Sequence, residues 1–163
     1  MLFLFTVLMS VSHAFEINID NYQKSNNWYK KPNIMICDDS PVTADQAAEA
    51  AKEWKKAGEK IGNIYFEKNN ECDKKYHYGY ILIMGKRDDI DTNKEYAVTV
   101  RWYSRERNHD NSKIIVSSFT EIDINSIHNS SDMHTLLTHE LGHSLGYGHH
   151  EIKNDIMIKS IMH

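Results

Sequence analysis

Three histidines and a glutamate stand close together in the last quarter of the sequence. His139, Glu140, His143 and His149, with Gly146 before the last histidine, form the pattern H-E-x-x-H-x-x-G-x-x-H. Imidazole nitrogen is a preferred zinc ligand, and three protein ligands leave a fourth position open, as is typical of catalytic rather than structural zinc sites. The pattern therefore predicts a catalytic zinc site with the three histidines as ligands.

The spacing of the histidines fits one α-helix followed by a reversal of the chain. His139 and His143 would lie about 40° apart in projection and roughly 6 Å apart along a helix axis. If the helix continued, His149 would lie about 240° further round, so the chain must turn back before it. Gly146 and Gly148 stand where this turn is needed, because glycine adopts the positive φ of a helix C-cap without a Cβ penalty.

Glu140 follows the first histidine and therefore points about 100° round the helix from it. Its carboxylate can lie beside a water on the metal without being a ligand. There it can act as general base, accepting a proton as the water attacks a carbonyl group, and can pass that proton to the leaving amine. We interpret Glu140 as the catalytic residue. The alternative is a degenerate or purely structural metal site.

These eleven residues resemble the signature of the metzincin zinc peptidases, and the chain is similar to small bacterial matrixin-like proteins. Residues 120–125 resemble the strand that precedes the zinc helix in that group. The resemblance implies a zinc metallopeptidase with Zn²⁺ as cofactor and a methionine turn beneath the metal. Matrixin spacing favours Met157 for that turn, whereas Met162 has the more typical local sequence. His150, which follows the third histidine, departs from the usual subfamily residues.

The first residues have the composition of an export signal. Residues 1–14 contain no Lys, Arg, Asp or Glu, residues 2–9 are almost wholly apolar, and Ala14 completes a small-x-small cleavage site. The apolar run is about half of the roughly 20 residues that a membrane anchor needs. We therefore predict a signal peptide at residues 1–14, cleaved near Ala14, and a catalytic domain at residues 15–163. The protein would be secreted or periplasmic, without a stable membrane anchor.

Composition limits the classes of partner. The sequence has 19 Lys and Arg against 23 Asp and Glu, a net charge of −4, and its lysine pairs are scattered among acidic residues. This distribution is typical of a solvated surface rather than of a nucleic-acid site. We expect a monomer that binds a peptide or protein substrate and no nucleic acid.

Cys37 and Cys72 are the two cysteines of the sequence. In an exported protein an even pair indicates a disulfide bond. Closing a loop of this length would stabilise the fold by about 3–4 kcal/mol in the chain-entropy model. The alternative, a zinc-blocking role for Cys37, lacks the neighbouring residues expected of such a motif.

The elements that position these residues follow from local patterns. Thr43 and Gln46 form a capping box that begins a helix over residues 43–57, and Gly58 ends it. Strands are predicted over residues 33–37, 63–67, 78–85, 96–104 and 113–125. Residues 106–112 would form the turn of a hairpin that leads into the zinc helix, capped by Ser130 or Ser131.

Together these elements predict an α+β fold of metzincin type. We expect a twisted, mostly parallel sheet of about five strands with one antiparallel edge, a backing helix and the zinc helix. The resemblance implies that substrate binds as an additional antiparallel strand at a sheet edge, and residues 96–104 are the candidate edge. Arg101 and Arg105 on this strand have another interpretation, because charged residues protect exposed edges from aggregation.

The sequence thus predicts a secreted zinc endopeptidase of metzincin type that hydrolyses extended protein substrates. Two other classes stay open: a zinc hydrolase of a non-peptide amide, and a non-catalytic binding protein that keeps the zinc site. Glu140 argues against the second alternative, because a structural site needs ligands but no general base.

Overall fold

A computed structural model describes residues 17–67, 70–86, 96–123, 127, 129–152 and 155–158. Within them, a mixed sheet of six strands carries two helices on one face. The elements in chain order are a short 3-10 helix (Ile19–Asn21), β1 (Asn26–Trp28), β2 (Asn33–Ile36), α1 (Ala44–Lys56), β3 (Ile64–Phe66), β4 (Tyr80–Gly85), β5 (Ala97–Arg107), β6 (Lys113–Ile122) and α2 (Ser130–Leu145). The predicted α+β architecture is confirmed, with six strands instead of about five.

Strand β6 organises the sheet. It pairs antiparallel with β5 along one edge, and on the other edge it pairs in parallel with β1 and then with β4. Strands β2 and β3 extend the parallel part beyond β4. Because no other described strand pairs with β5, that strand is the antiparallel edge which the sequence predicted.

Helix α1 agrees closely with the sequence prediction. Thr43 and Gln46 form the reciprocal capping box, and Gly58 follows the helix with a φ of 106°. Helix α2 differs at its start: its N-cap is Asn129, whose side chain accepts a hydrogen bond from Asp132 N at 3.0 Å. The predicted caps Ser130 and Ser131 are therefore wrong by one or two positions.

Strand boundaries also differ from those predicted. Strand β1 was not predicted, and β5 continues to Arg107, so the hairpin turn begins later than residue 106. Residues 124–126, where the strand before the zinc helix was predicted to end, lie outside the described residues, as does the predicted signal peptide at residues 1–14. None of the described helices is long and apolar enough to span a membrane.

The two faces of the sheet pack against different layers. One face meets α1 and α2 through alternating side chains such as Ile34, Ile36, Ile81 and Ile83. The opposite face holds a smaller cluster of Met35, Cys37, Cys72, Leu82, Met84 and Phe119. The disulfide bond between Cys37 and Cys72, 35 residues apart in sequence, lies in this second cluster.

Candidate metal centre

Helix α2 places two of the three histidines. His139 is almost fully buried and His143 is half-buried, one turn apart on the helix. Trp54 of α1 anchors the helix here, because its indole Nε1 donates a 2.7 Å hydrogen bond to the carbonyl oxygen of Thr138. The buried Trp54 thus supports the helix turn that carries His139.

The turn that brings back His149 begins at Gly146. This residue caps α2 with a φ of 109°, and a Cβ atom there would overlap the carbonyl oxygen of Asn26. Gly148 has no positive φ, and the position of a Cβ has nothing within 4 Å. Of the two glycines predicted for the turn, only Gly146 is required by backbone conformation and space.

Strand β1 and the residue before it close the end of α2. Ser25 donates hydrogen bonds from its backbone N and its Oγ to the carbonyl oxygen of Gly146, at 3.3 and 3.2 Å. Trp28 donates from Nε1 to the carbonyl oxygen of Ser144 at 2.8 Å. Carbonyl groups in the last turn of a helix have no partner within the helix, so these bonds satisfy them and fix where the chain reverses.

The three predicted histidine ligands converge on one point. The Nε2 atoms of His139 and His143 are 3.0 Å apart, those of His143 and His149 are 3.0 Å apart, and those of His139 and His149 are 3.1 Å apart. Tetrahedral zinc with bonds of about 2.0–2.1 Å separates its ligand atoms by about 3.3 Å. The triangle therefore has nearly the size that a zinc ion requires, and the three residues form a group that could hold a metal ion.

Hydrogen bonds at the far side of two rings define their tautomers. His139 Nδ1 lies 2.6 Å from the carbonyl oxygen of Ile156, and His143 Nδ1 lies 3.0 Å from that of Tyr147. A carbonyl only accepts, so each Nδ1 donates, and a neutral ring then has a lone pair on Nε2.

Two lone pairs that face each other at 3.0 Å repel unless a cation lies between them. Burial is the main cause that lowers the pKa of both His139 and His143 to about 4, while the bonds to carbonyl oxygens act in the opposite direction. Both rings are therefore neutral at pH 7 and can bind a metal without losing a proton. The donor set fits zinc.

Glu140 follows His139 on α2, is buried, and receives a hydrogen bond from the edge strand. Thr99 Oγ1 on β5 donates to Glu140 Oε2 at 2.6 Å and lies 2.7 Å from Thr120 Oγ1. Thr120 in turn lies 3.4 Å from Ser144 Oγ. Because each hydroxyl has one proton and an ionised carboxylate only accepts, Thr99 donates to Glu140 and Thr120 donates to Thr99. Thr99 stands in no sequence motif and is not among the predicted site residues.

A buried network fixes the chain after the third histidine. Tyr22 donates from its hydroxyl to the Asp155 carboxylate at 2.8 Å, and Asp155 Oδ1 accepts from the backbone N of Met157 at 2.8 Å. His150 Nε2 lies 3.0 Å from the same oxygen. Burial and the Asp155 charge raise the pKa of Tyr22, so its hydroxyl stays a donor. The network holds the carbonyl oxygen of Ile156 where His139 donates to it.

Met157 lies directly beneath helix α2. It is fully buried, and a Cβ atom on Gly142 would overlap its sulfur and the ring of Trp54. Met162, the alternative for the methionine turn, lies outside the described residues. A second group, Cys37, Glu67 and Cys72, has metal-site proximity but its cysteines form the disulfide bond.

Comparison with known proteins gives one match. A family model described as matrixin matches residues 37–163, a span that includes both helices and all three histidines. Neither the curated proteins nor the solved structures include a significant match.

Proposed function

The chain belongs to the matrixin family and is a zinc metallopeptidase of the metzincin clan, and from this premise we propose that it is a secreted endopeptidase with Glu140 as general base. His139, His143 and His149 hold the Zn²⁺ ion. The observation that carries the proposal is the triangle of Nε2 atoms, 3.0–3.1 Å on each side, with the buried Glu140 next to His139 on α2. Peptides or proteins are the substrates that the family implies.

Each residue of the proposed site has a separate role in peptide hydrolysis. Zinc, when bound, supplies a Lewis acid that polarises the substrate carbonyl and activates a water. Glu140 accepts the proton of the attacking water on its carboxylate and passes it to the nitrogen of the leaving amine. The carbonyl oxygens of Ile156 and Tyr147 keep two histidine rings oriented, and Met157 forms the methionine turn beneath them.

Strand β5 binds the substrate. Its outer edge has no partner among the described strands, and Thr99 on it contacts the proposed base. An extended peptide can add to such an edge through backbone hydrogen bonds and would then pass the Glu140 carboxylate.

Export from the cell explains the disulfide bond and the composition of the first residues. The Cys37–Cys72 disulfide bond is typical of an oxidising compartment, and the composition of residues 1–14 supports a cleaved signal peptide. We expect a monomer without a membrane anchor.

Replacing Glu140 with alanine tests the mechanism. General base catalysis contributes about 10²–10⁴-fold, so we expect Glu140→Ala to lower kcat by that factor on a general peptide library. Zinc content should stay at the wild-type level, because Glu140 is not a ligand. The exposed Glu151, changed to alanine, is the matched control and should keep full activity.

Three other outcomes would contradict parts of the proposed function. Cleavage of the library by Glu140→Ala at the wild-type rate would show that Glu140 is not the base. Loss of zinc from that variant would show that it is a ligand instead. A wild-type protein that cleaves acylated non-peptide amides but no peptide would overturn the proposed substrate class.

A further inference from the structure

Arg101 on strand β5 has a buried nitrogen without a partner. Its Nη1 atom makes no hydrogen bond, and no ion pair joins Arg101 to a described carboxylate. A guanidinium group carries a permanent charge and five N–H donors. Buried donors nearly always have an acceptor, so one without a partner calls for an explanation.

Pairing in the sheet shows which way the Arg101 side chain points. Arg101 is opposite Ser118 of β6, and Ser118 Oγ lies 3.0 Å from Ser144 Oγ of α2. Residues opposite each other on paired strands share a face, so Arg101 faces α2. Thr99, two residues earlier, is on the same face and contacts Glu140. Arg101 therefore lies on the side of the sheet that faces α2, where Thr99 contacts Glu140.

An anion beside Arg101 would supply the acceptor that the buried Nη1 lacks and would balance the charge of the guanidinium group.

Protection of the strand edge does not explain this arginine. A residue that prevents aggregation must present its charge to water. Arg105 on the same strand does so, since it is exposed, whereas Arg101 is partly buried and faces the helix. The two arginines of β5 therefore need different explanations.

We propose that Arg101 forms an anion subsite that binds a carboxylate of the peptide substrate. The proposal rests on the proposed function, because it assumes a peptide bound along the open edge of β5. Arginine and carboxylate match in geometry and form two parallel hydrogen bonds. The substrate class is thus a peptide with an acidic residue close to the scissile bond.

The direction of the strands predicts on which side of the bond that residue lies. Arg101 follows Thr99 by two residues, about 6.6 Å along the strand. A peptide antiparallel to β5 has the reverse order, so its residue opposite Arg101 precedes the residue that passes Glu140. We expect the acidic residue on the N-terminal side, within about two or three positions of the cleaved bond.

Matched pairs of peptides test the subsite. Each pair differs only by Glu or Gln at one of four positions before the cleaved bond, and both ends are blocked so that the side chain is the single carboxylate. For the wild-type protein we expect kcat/KM to be at least about 10-fold higher with Glu at one position. The ratio should fall to about one in Arg101→Gln and stay at the wild-type value in Arg105→Gln, the matched control on the same strand.

A binding measurement separates recognition from catalysis. In the Glu140→Ala background, fluorescence anisotropy of the labelled Glu and Gln peptides should give Kd values that differ about 10-fold, and adding Arg101→Gln should equalise them.

The possible failures are distinct. If the wild-type protein cleaves Glu and Gln peptides equally, the subsite is wrong and the proposed peptidase function stands. If it cleaves no peptide, the proposed function fails and the subsite falls with it. Thermal unfolding checks that each variant is folded. If Arg101→Gln does not fold, the Glu-to-Gln ratio of the wild-type protein and the ratio of Arg101→Lys test the subsite. We expect Arg101→Lys to keep most of the preference.

Discussion

At the residue scale, the hydrogen bond from Thr99 to Glu140 connects the proposed base with the proposed substrate strand. Thr99 Oγ1 is 2.6 Å from Glu140 Oε2, and the residues are 41 positions apart in sequence. The bond holds the Glu140 carboxylate in one rotamer. The Thr120 hydroxyl, 2.7 Å from Thr99 Oγ1, holds Thr99 in place. A base positioned in this way needs little rearrangement when the substrate arrives.

Removing the Thr99 hydroxyl should therefore slow the chemical step. Valine has nearly the shape of threonine, and hydrogen bonds to charged groups contribute about 1.5–3 kcal/mol, of which part is present in both ground and transition state. We expect Thr99→Val to lower kcat about 10-fold with KM and zinc content unchanged. Thr99→Ser keeps the hydroxyl and should retain most of kcat; equal kcat values for the two variants would contradict a role for this bond.

At the element scale, the features that the sequence predicts correctly depend on residues that are close together in the chain. The capping box of α1 and the spacing of His139 and His143 on α2 depend on contacts within one or two helix turns, so both predictions agree with the structure. Strand β1 has the sequence Asn-Asn-Trp, in which two of the three residues are of a type depleted in strands. It forms because β6 offers it a parallel partner and because Trp28 bonds to the end of α2.

The hydrogen bonds that support the metal centre could not be predicted, because they join residues that are far apart in the sequence. Tyr22 and Asp155 are 133 positions apart, and neither stands in a motif. Their hydrogen bond exists only once the chain before β1 packs against the turn after His149. A polar residue on the inward face of a half-buried strand was the one local signal for Thr99, and that pattern is too common to identify a function.

Close packing under α2 gives an element-scale expectation at Gly142. Alanine is favoured over glycine in a helix by about 1 kcal/mol, so Gly142→Ala would stabilise an isolated α2. In the protein the added Cβ would overlap Met157 Sδ and the Trp54 ring, and Trp54 is held by its bond to Thr138. We expect a loss of about 1–3 kcal/mol in the free energy of unfolding and weaker zinc binding.

Urea unfolding and chelator competition measure these two effects. Gly148→Ala is the matched control, because a Cβ there has nothing within 4 Å, and its stability should stay within about 0.5 kcal/mol of the wild type. An unchanged or raised stability of Gly142→Ala would show that Met157 is not packed against the helix as described.

At the scale of the whole molecule, the sheet separates the candidate metal centre from the disulfide bond. The face covered by α1 and α2 carries the metal centre, while the opposite face carries the disulfide bond and its small apolar cluster. The sheet is continuous from the disulfide-bearing cluster at β2 and β4 to the edge strand β5. Because each side chain of a strand packs on one face only, the disulfide can stabilise the fold without contacting the proposed metal ligands or the proposed substrate strand.

Removing the disulfide should therefore affect stability and leave the site intact. Closing a loop of 35 residues stabilises by about 3–4 kcal/mol in the chain-entropy model, so we expect Cys37→Ala/Cys72→Ala to lower the free energy of unfolding by about that amount. Urea unfolding of zinc-free protein measures it, with reduced wild-type protein as the control for the lost side chains. At 25 °C, where the variant should remain folded, zinc affinity and kcat/KM should stay within about twofold of the wild type. A parallel loss of zinc affinity would show that the two faces are coupled through the sheet, because no described contact joins the disulfide to the histidines directly.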